Sequence, residues 1–164
     1  MRRLALASIA LVLLAALKPS SQLTEPQRAL HALNRLAFGP RPGDIDKVMA
    51  IGVAEWINQQ LHPETIPDRA VEARLQNLPT LRMTNADIMH EFYAPIVQAR
   101  RERETDQIKD AQKKSREVVE DLVSQRIIRA TESDRQLNEV MVDFWFNHFN
   151  VFVGKGIDRF MLTS

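Results

Sequence analysis

Apolar residues along most of this chain recur every three or four positions. Leu30, Leu33 and Leu36 share one side of a helix, as do Val53, Trp56, Ile57 and Leu61, and then Val71, Leu75 and Leu78. No run alternates apolar and polar residues for long enough to make a strand. The pattern predicts an all-α protein. Breakers divide it into pieces. Thr24-Glu25-Pro26-Gln27 reads as a capping box with Pro in the first turn. Phe38-Gly39-Pro40 stops that helix, and Gly39-Pro40-Arg41-Pro42-Gly43 makes a stiff loop. Asp44 is the expected cap of a short helix that closes at Gly52, and His62-Pro63 ends the next one. Pro79 stops the helix after that, and Thr84-Asn85-Ala86-Asp87 opens another.

From Thr84 to about Arg129 there is no Gly, and Pro95 is the only kink signal. Residues 98–126 are highly charged. Arg100/Glu104, Asp110/Lys114, Lys113/Glu117 and Arg116/Glu120 fall four apart, the spacing of favourable pairs on an exposed helix face. Ile108, Ala111, Val118 and Leu122 make a thin seam with Ser115 at its centre, too short for a coiled coil. The expectation is one long, solvated, charged helix within an irregular multi-helix array. Ser133-x-x-Gln136 then opens a last helix.

The N-terminus departs from this periodicity. Arg2 and Arg3 precede Leu4 to Leu17, which holds no charge, and Lys18-Pro19-Ser20-Ser21 follows. A basic start, a short apolar run and a polar break predict a secretory signal over residues 1–18, with the helical domain over 19–164. Fourteen residues make a helix of roughly 21 Å, short of the ~30 Å hydrocarbon core, so a short anchor is the lesser alternative. The predicted location is exported, periplasmic or in the cell envelope, with membrane contact only through this segment.

Charge and composition narrow the partners. The chain of 164 residues has 22 Lys and Arg against 21 Asp and Glu. Residues 1–18 carry Arg2, Arg3 and Lys18; without them 19 basic and 21 acidic residues remain, net −2. Nucleic-acid binding needs a clustered positive excess and is not expected. With no Cys there are no disulfides or thiolate metal sites. No Gly-rich phosphate loop, nucleophile elbow or His-Glu-x-x-His helix appears, so no cofactor and no metal are expected.

The densest stretch is Asn138 to Val151, with Phe144, Trp145, Phe146 and Phe149 around His148. Leu137, Val140, Met141, Phe144, Trp145 and His148 share one broad helix face, expected to be core with Trp145 largely buried. Phe146 and Phe149 on the other side, with Phe160, are expected to form an exposed apolar patch. Fifteen residues follow Phe149, too few to cover so apolar a tract, so an incomplete domain is expected, the N-terminal part of a longer one. His148 and Asp143 are the first candidates for chemistry. Five residues apart, they point about 140° away from each other on a regular helix, and only a helix ending near Asn147 would bring them together. The plainer account of His148 is a donor at a helix C-terminus. His31 and Arg35, four apart, could grip an anion, although a surface or packing role explains them as well. His62 sits at a helix end, and His90 lacks a second His.

Two blocks together resemble a known family. His31-Ala-Leu-Asn-Arg-Leu-Ala-Phe-Gly-Pro-Arg-Pro-Gly43, followed by Gly52-Val-Ala-Glu-Trp-Ile-Asn-Gln-Gln-Leu61, is one; Phe144-Trp-Phe-Asn-His-Phe-Asn-Val151 is the other. In this order they are similar to the bacterial family of domain of unknown function 1800, over residues 28–62 and 134–162. The resemblance implies a mostly helical, exported bacterial protein and no accepted activity. It also implies longer relatives, and a second exported family encoded nearby as a partner. Relatives often carry His where this chain has Phe146, which weakens a metal reading of a His-x-His pair. Three functions stay open: a structural or interaction protein of the cell envelope with a protein partner, the N-terminal part of a hydrolase-like or ligand-binding enzyme, and a membrane-tethered helical module.

Two Pro and two Gly within Phe38 to Gly43 predict a fixed turn. Gly39→Ala should lower stability by roughly 1 kcal/mol or more if Gly39 has a positive φ. An unchanged melting midpoint would count against a special backbone there.

Overall fold

The structure, a computed structural model, describes residues 23–149 together with Ile157 and Phe160. The expected signal or anchor over residues 1–18 lies outside them. Every regular element among the described residues is helical, as the spacing predicts. Helix α1 is Glu25–Leu36, α2 Asp44–Ile51, α3 Val53–Gln60 and α4 Arg69–Leu75. Helix α5 is the short Asn85–Ile88, α6 is Ala94–Glu102 and α7 Thr105–Lys114; α8 is Arg116–Glu132 and α9 Gln136–His148. Among the described residues no helix is long and apolar enough to cross a membrane.

Helices α1 to α3 wrap one core. Ala29, Ala32, Leu33 and Ala37 of the first helix and its end meet Val48 and Trp56, with Leu36, Ile45 and Ile57 at the margin. Small residues on α1 let α2 lie close across it. The turn between them is set by Gly39 and Gly43, with φ of +106° and +85°, the left-handed region that favours glycine. No atom lies within 4 Å of a Cβ added at Gly39, so the strain of a substitution there is backbone strain alone. Asp44 does not cap α2 from outside. Gly43 holds that position and Asp44 is the first helical residue. Its Oδ2 instead accepts from the Arg41 amide and from Arg41 Nε, both at 2.9 Å, which closes the turn back on itself.

The single charged helix expected over residues 98–126 is broken twice. Arg103 turns left-handed at φ +59°, and the Glu104 amide donates to the Ala99 carbonyl at 3.0 Å, closing α6 with a reversal. Non-glycine residues resist this conformation. The gain comes from the apolar row Ile88, Phe92, Ile96 and Ala99, buried under the returning α7 with Ala111 against it. A straight helix would leave that row in water. The second break is at Ser115, which is buried and donates from Oγ to the Gln112 carbonyl at 2.8 Å. Nor is the segment wholly solvated. Val118, Asp121 and Leu122 are buried, and Asp121 Oδ2 accepts from the amide and hydroxyl of Thr80 at 3.1 and 2.8 Å. That pins the 3-10 turn Pro79–Arg82 onto α8.

Pro95 has no amide to donate, and it does not break the helix. The turn just before it, Met89–Tyr93, widens to a π-helix, and the Ala94 amide reaches the Met89 carbonyl five residues back. Upstream, Thr84 opens a helix as expected, and its cap is reciprocal: the Thr84 amide donates to Asp87 Oδ2 at 3.1 Å and the Asp87 amide to Thr84 Oγ1 at 3.2 Å. Hydrogen bonds from Thr84, hydroxyl first and then amide, hold the Asp87 carboxyl below the usual carboxylate range.

Phe160 overturns part of the expected exposed patch. It is 1% exposed and sits among Ile88, Phe92, Ile96 and Val118, its ring 5.5 Å from that of Tyr93. The chain after α9 thus contributes the centre of the hairpin core. Phe160→Ala should cost on the order of 3–5 kcal/mol, as for a buried ring. A melting midpoint within a degree or two of the parent would show that the hairpin closes without it.

Candidate functional site

The turn Ser133–Gln136 between α8 and α9 is held by side chains from three other segments and by its own Gln136. Asp68 receives the Ser133 hydroxyl on Oδ2 at 2.7 Å and the Asp134 amide on Oδ1 at 3.3 Å. Gln60, at the end of α3, donates to the Asp134 carbonyl at 2.9 Å and accepts from the Leu137 amide at 3.1 Å. Arg41 donates to the Ser133 carbonyl at 3.1 Å and to Asp134 Oδ1 at 3.0 Å. Gln136 donates to the Ser133 carbonyl at 2.7 Å and accepts from the Phe38 amide at 3.2 Å. Burial works against the charge of Arg41, but its bonds to Asp44 and Asp134 and their charges outweigh it and hold the guanidinium above its ordinary value. Helix α9 opens at Gln136 as expected, but Ser133 and Gln136 do not cap it as a pair. Ser133 Oγ accepts from the Arg135 amide at 3.0 Å instead, and both residues serve as cross-links.

This anchoring sets the rotation of α9. Gln136 and Glu139 face inward and are buried. Continuing the same row at helical spacing, Asp143 and Phe146 meet α8: Arg126 pairs with Asp143 and lies 4.4 Å over the Phe146 ring, and Arg129 reaches Glu139 Oε1 at 3.4 Å. Most of the face expected to be core is thereby turned outward, with Leu137 and Val140 left half-buried. Met141, Phe144 and Trp145 are exposed, Trp145 by 47%, because buried polar anchors at the start of the helix outrank its aromatic side. Phe149 is exposed as expected, by 70%. The rings pack on one another: Trp145 stacks with Phe149 at 5.7 Å, and Phe144 with the His148 imidazole at 5.7 Å.

The four candidate residues part company. Arg35, Asp143 and His148 line one shallow depression of about 580 Å³ between the end of α1 and α9, with Phe38 and Phe144. His31 is exposed one turn earlier on α1 and does not line it, so no His31–Arg35 anion grip faces this site. Helix α9 runs unbroken to His148, which keeps His148 away from Asp143. His148 contacts the rings of Phe144, Trp145 and Phe149, while Asp143 pairs with Arg126 and accepts from Asn147 at 3.0 Å. Asp143 also belongs to a second, larger cleft of about 610 Å³ between α8 and α9, walled by Arg126, Arg129, Glu139 and Phe146. Sequence reasoning missed these arginines. Their signal was the spacing of three in Arg126/Arg129 facing the spacing of four in Glu139/Asp143. Among the described residues no three His, Asp or Glu side chains are placed to hold a metal ion.

Over residues 31–164 the sequence matches the family described as "Protein of unknown function (DUF1800)", and the chain belongs to that family. No curated protein and no solved structure matches it.

Because Trp145 is half in water, Trp145→Ala should cost about 1 kcal/mol, far less than the ~3–5 kcal/mol of a buried ring. Chemical denaturation of the two proteins reads this directly. A core-sized loss would place Trp145 inside a packed interface.

Proposed function

We propose that this member of the family is an exported, helical interaction module of the cell envelope that engages a protein partner through the aromatic side of α9. The observation that carries this is the exposure of Phe144, Trp145 and Phe149, at 51%, 47% and 70%, beside exposed Met141 and Val142. Contiguous apolar surface of this kind marks interaction sites, and aromatic side chains are favoured anchors in interfaces. The rings already brace one another, so ordering them on binding costs little entropy. Export is supported by Arg2, Arg3 and the uncharged run Leu4 to Leu17. The carboxylates nearest the site support binding over acid–base work, because Asp143 and Glu139 are each occupied by an arginine. A second reading, part of a ligand-binding or hydrolase-like enzyme, is favoured by the cleft between α8 and α9.

The test uses a photoreactive side chain at position 145 in the native cell, with position 101 on α6 as control. The expected result is one adduct of defined mass, formed at 145 alone, in periplasmic or envelope fractions and lost with Phe149→Asp. The uncoupled protein in those fractions should lack the mass of its first segment. Equal adducts at both positions, or a full-length mass found only in the cytosol, would sink the proposal.

A further inference from the structure

The cleft between α8 and α9 separates charge by wall. Its cations, Arg126 and Arg129, stand four and seven residues beyond Leu122 on one face of α8. Its carboxylates, Glu139 and Asp143, stand four apart on one face of α9. Phe38 and Phe146 supply apolar surface between them. The volume, about 610 Å³, is that of a small-molecule site.

Glu139 gives the cleft its chemistry. Its side chain is 6% exposed, and Oε2 keeps what access to the cleft remains. Both of its hydrogen bonds, from Asn138 Nδ2 at 3.2 Å and from Arg129 at 3.4 Å, fall on Oε1. A carboxylate has acceptor capacity on both oxygens, and burial makes a further cationic donor valuable. Arg126 and Asp143 are each more than a third exposed, and pairs in that setting hold weakly. They can part to admit a ligand that restores both charges.

We propose that the cleft binds an amino acid zwitterion with an apolar side chain, its ammonium on Glu139 and its carboxylate on Arg129 and Arg126. The two charges of an α-amino acid lie within a few ångströms of each other, matching the close approach of Arg129 to Glu139. A ligand with one charge leaves the opposite wall unanswered and loses affinity for that reason. The side chain rests on Phe38 and Phe146. The outer aromatic face of α9 takes no part, so this binding stands or falls independently of the cross-linking result.

The experiment titrates the protein with L-leucine by calorimetry, in parallel with isoamylamine, which lacks the carboxylate, and 4-methylpentanoate, which lacks the ammonium. Saturable binding of leucine is expected, with each single-charge analogue weaker by about tenfold or more. Glu139→Gln should weaken leucine by a similar factor and leave 4-methylpentanoate unchanged. Arg126→Met, at an exposed pair, carries the same test should Glu139→Gln fail to fold: leucine weakens and isoamylamine does not. No saturable leucine binding, or equal binding of all three compounds, overturns the proposal.

Discussion

The structure depends on keeping one buried turn supplied with hydrogen bonds. Residues 133–136 join α8 and α9, the two helices that wall the larger cleft, with both ends of the turn buried and Asp134 between them reaching water. Ser133 is wholly buried and Gln136 nearly so. A backbone reversal in that position has lost water for its carbonyls and amides, and each unmet group would cost about 1–3 kcal/mol. Asp68, Gln60, Arg41 and Gln136 meet that demand together. They come from the loop before α4, the end of α3, the first glycine turn and the start of α9. One turn therefore ties the first core to the helices beyond it, and the glycines at 39 and 43 matter because they deliver Arg41 and the Phe38 amide to it.

That constraint also explains the orientation of α9. Hydrophobicity alone favours burying Met141, Phe144 and Trp145. Rotating the helix to do so would pull Gln136 from the Phe38 amide and Glu139 from Arg129, leaving buried polar groups without partners. The balance favours the polar anchors, and the aromatic side remains in contact with water.

Much of the fold was legible in local sequence. The helical class, the starts at Thr24 and Thr84 and the rigid turn from Phe38 to Gly43 rest on neighbours within a few residues, which sequence displays. Apart from Asp44, whose bonds to Arg41 replace the expected cap, the failures are long-range. Arg103 carries no glycine-like signal, and its reversal is driven by an apolar row that needs a cover. Ser133 and Gln136 have the spacing of a cap, but their partners lie at Asp68 and Phe38. Phe160 looked unpartnered because its core is made by residues 88 to 118. Of the candidate residues, Arg35, Asp143 and His148 do share a depression, whereas His31 does not. Arg126 and Arg129 went unnoticed because they sit in a stretch whose charges look uniformly solvated.

The placement of Phe160 bears on the timing of assembly. A ribosome releases the hairpin of α6 and α7 well before it releases residue 160, so Ile88, Phe92 and Ile96 emerge without the ring that fills the space between them. Until then that core lacks its largest fully buried ring, and the apolar surface around it stays open to wrong partners. The most distant apolar contact of this core therefore forms only when nearly all of the described chain has been synthesised.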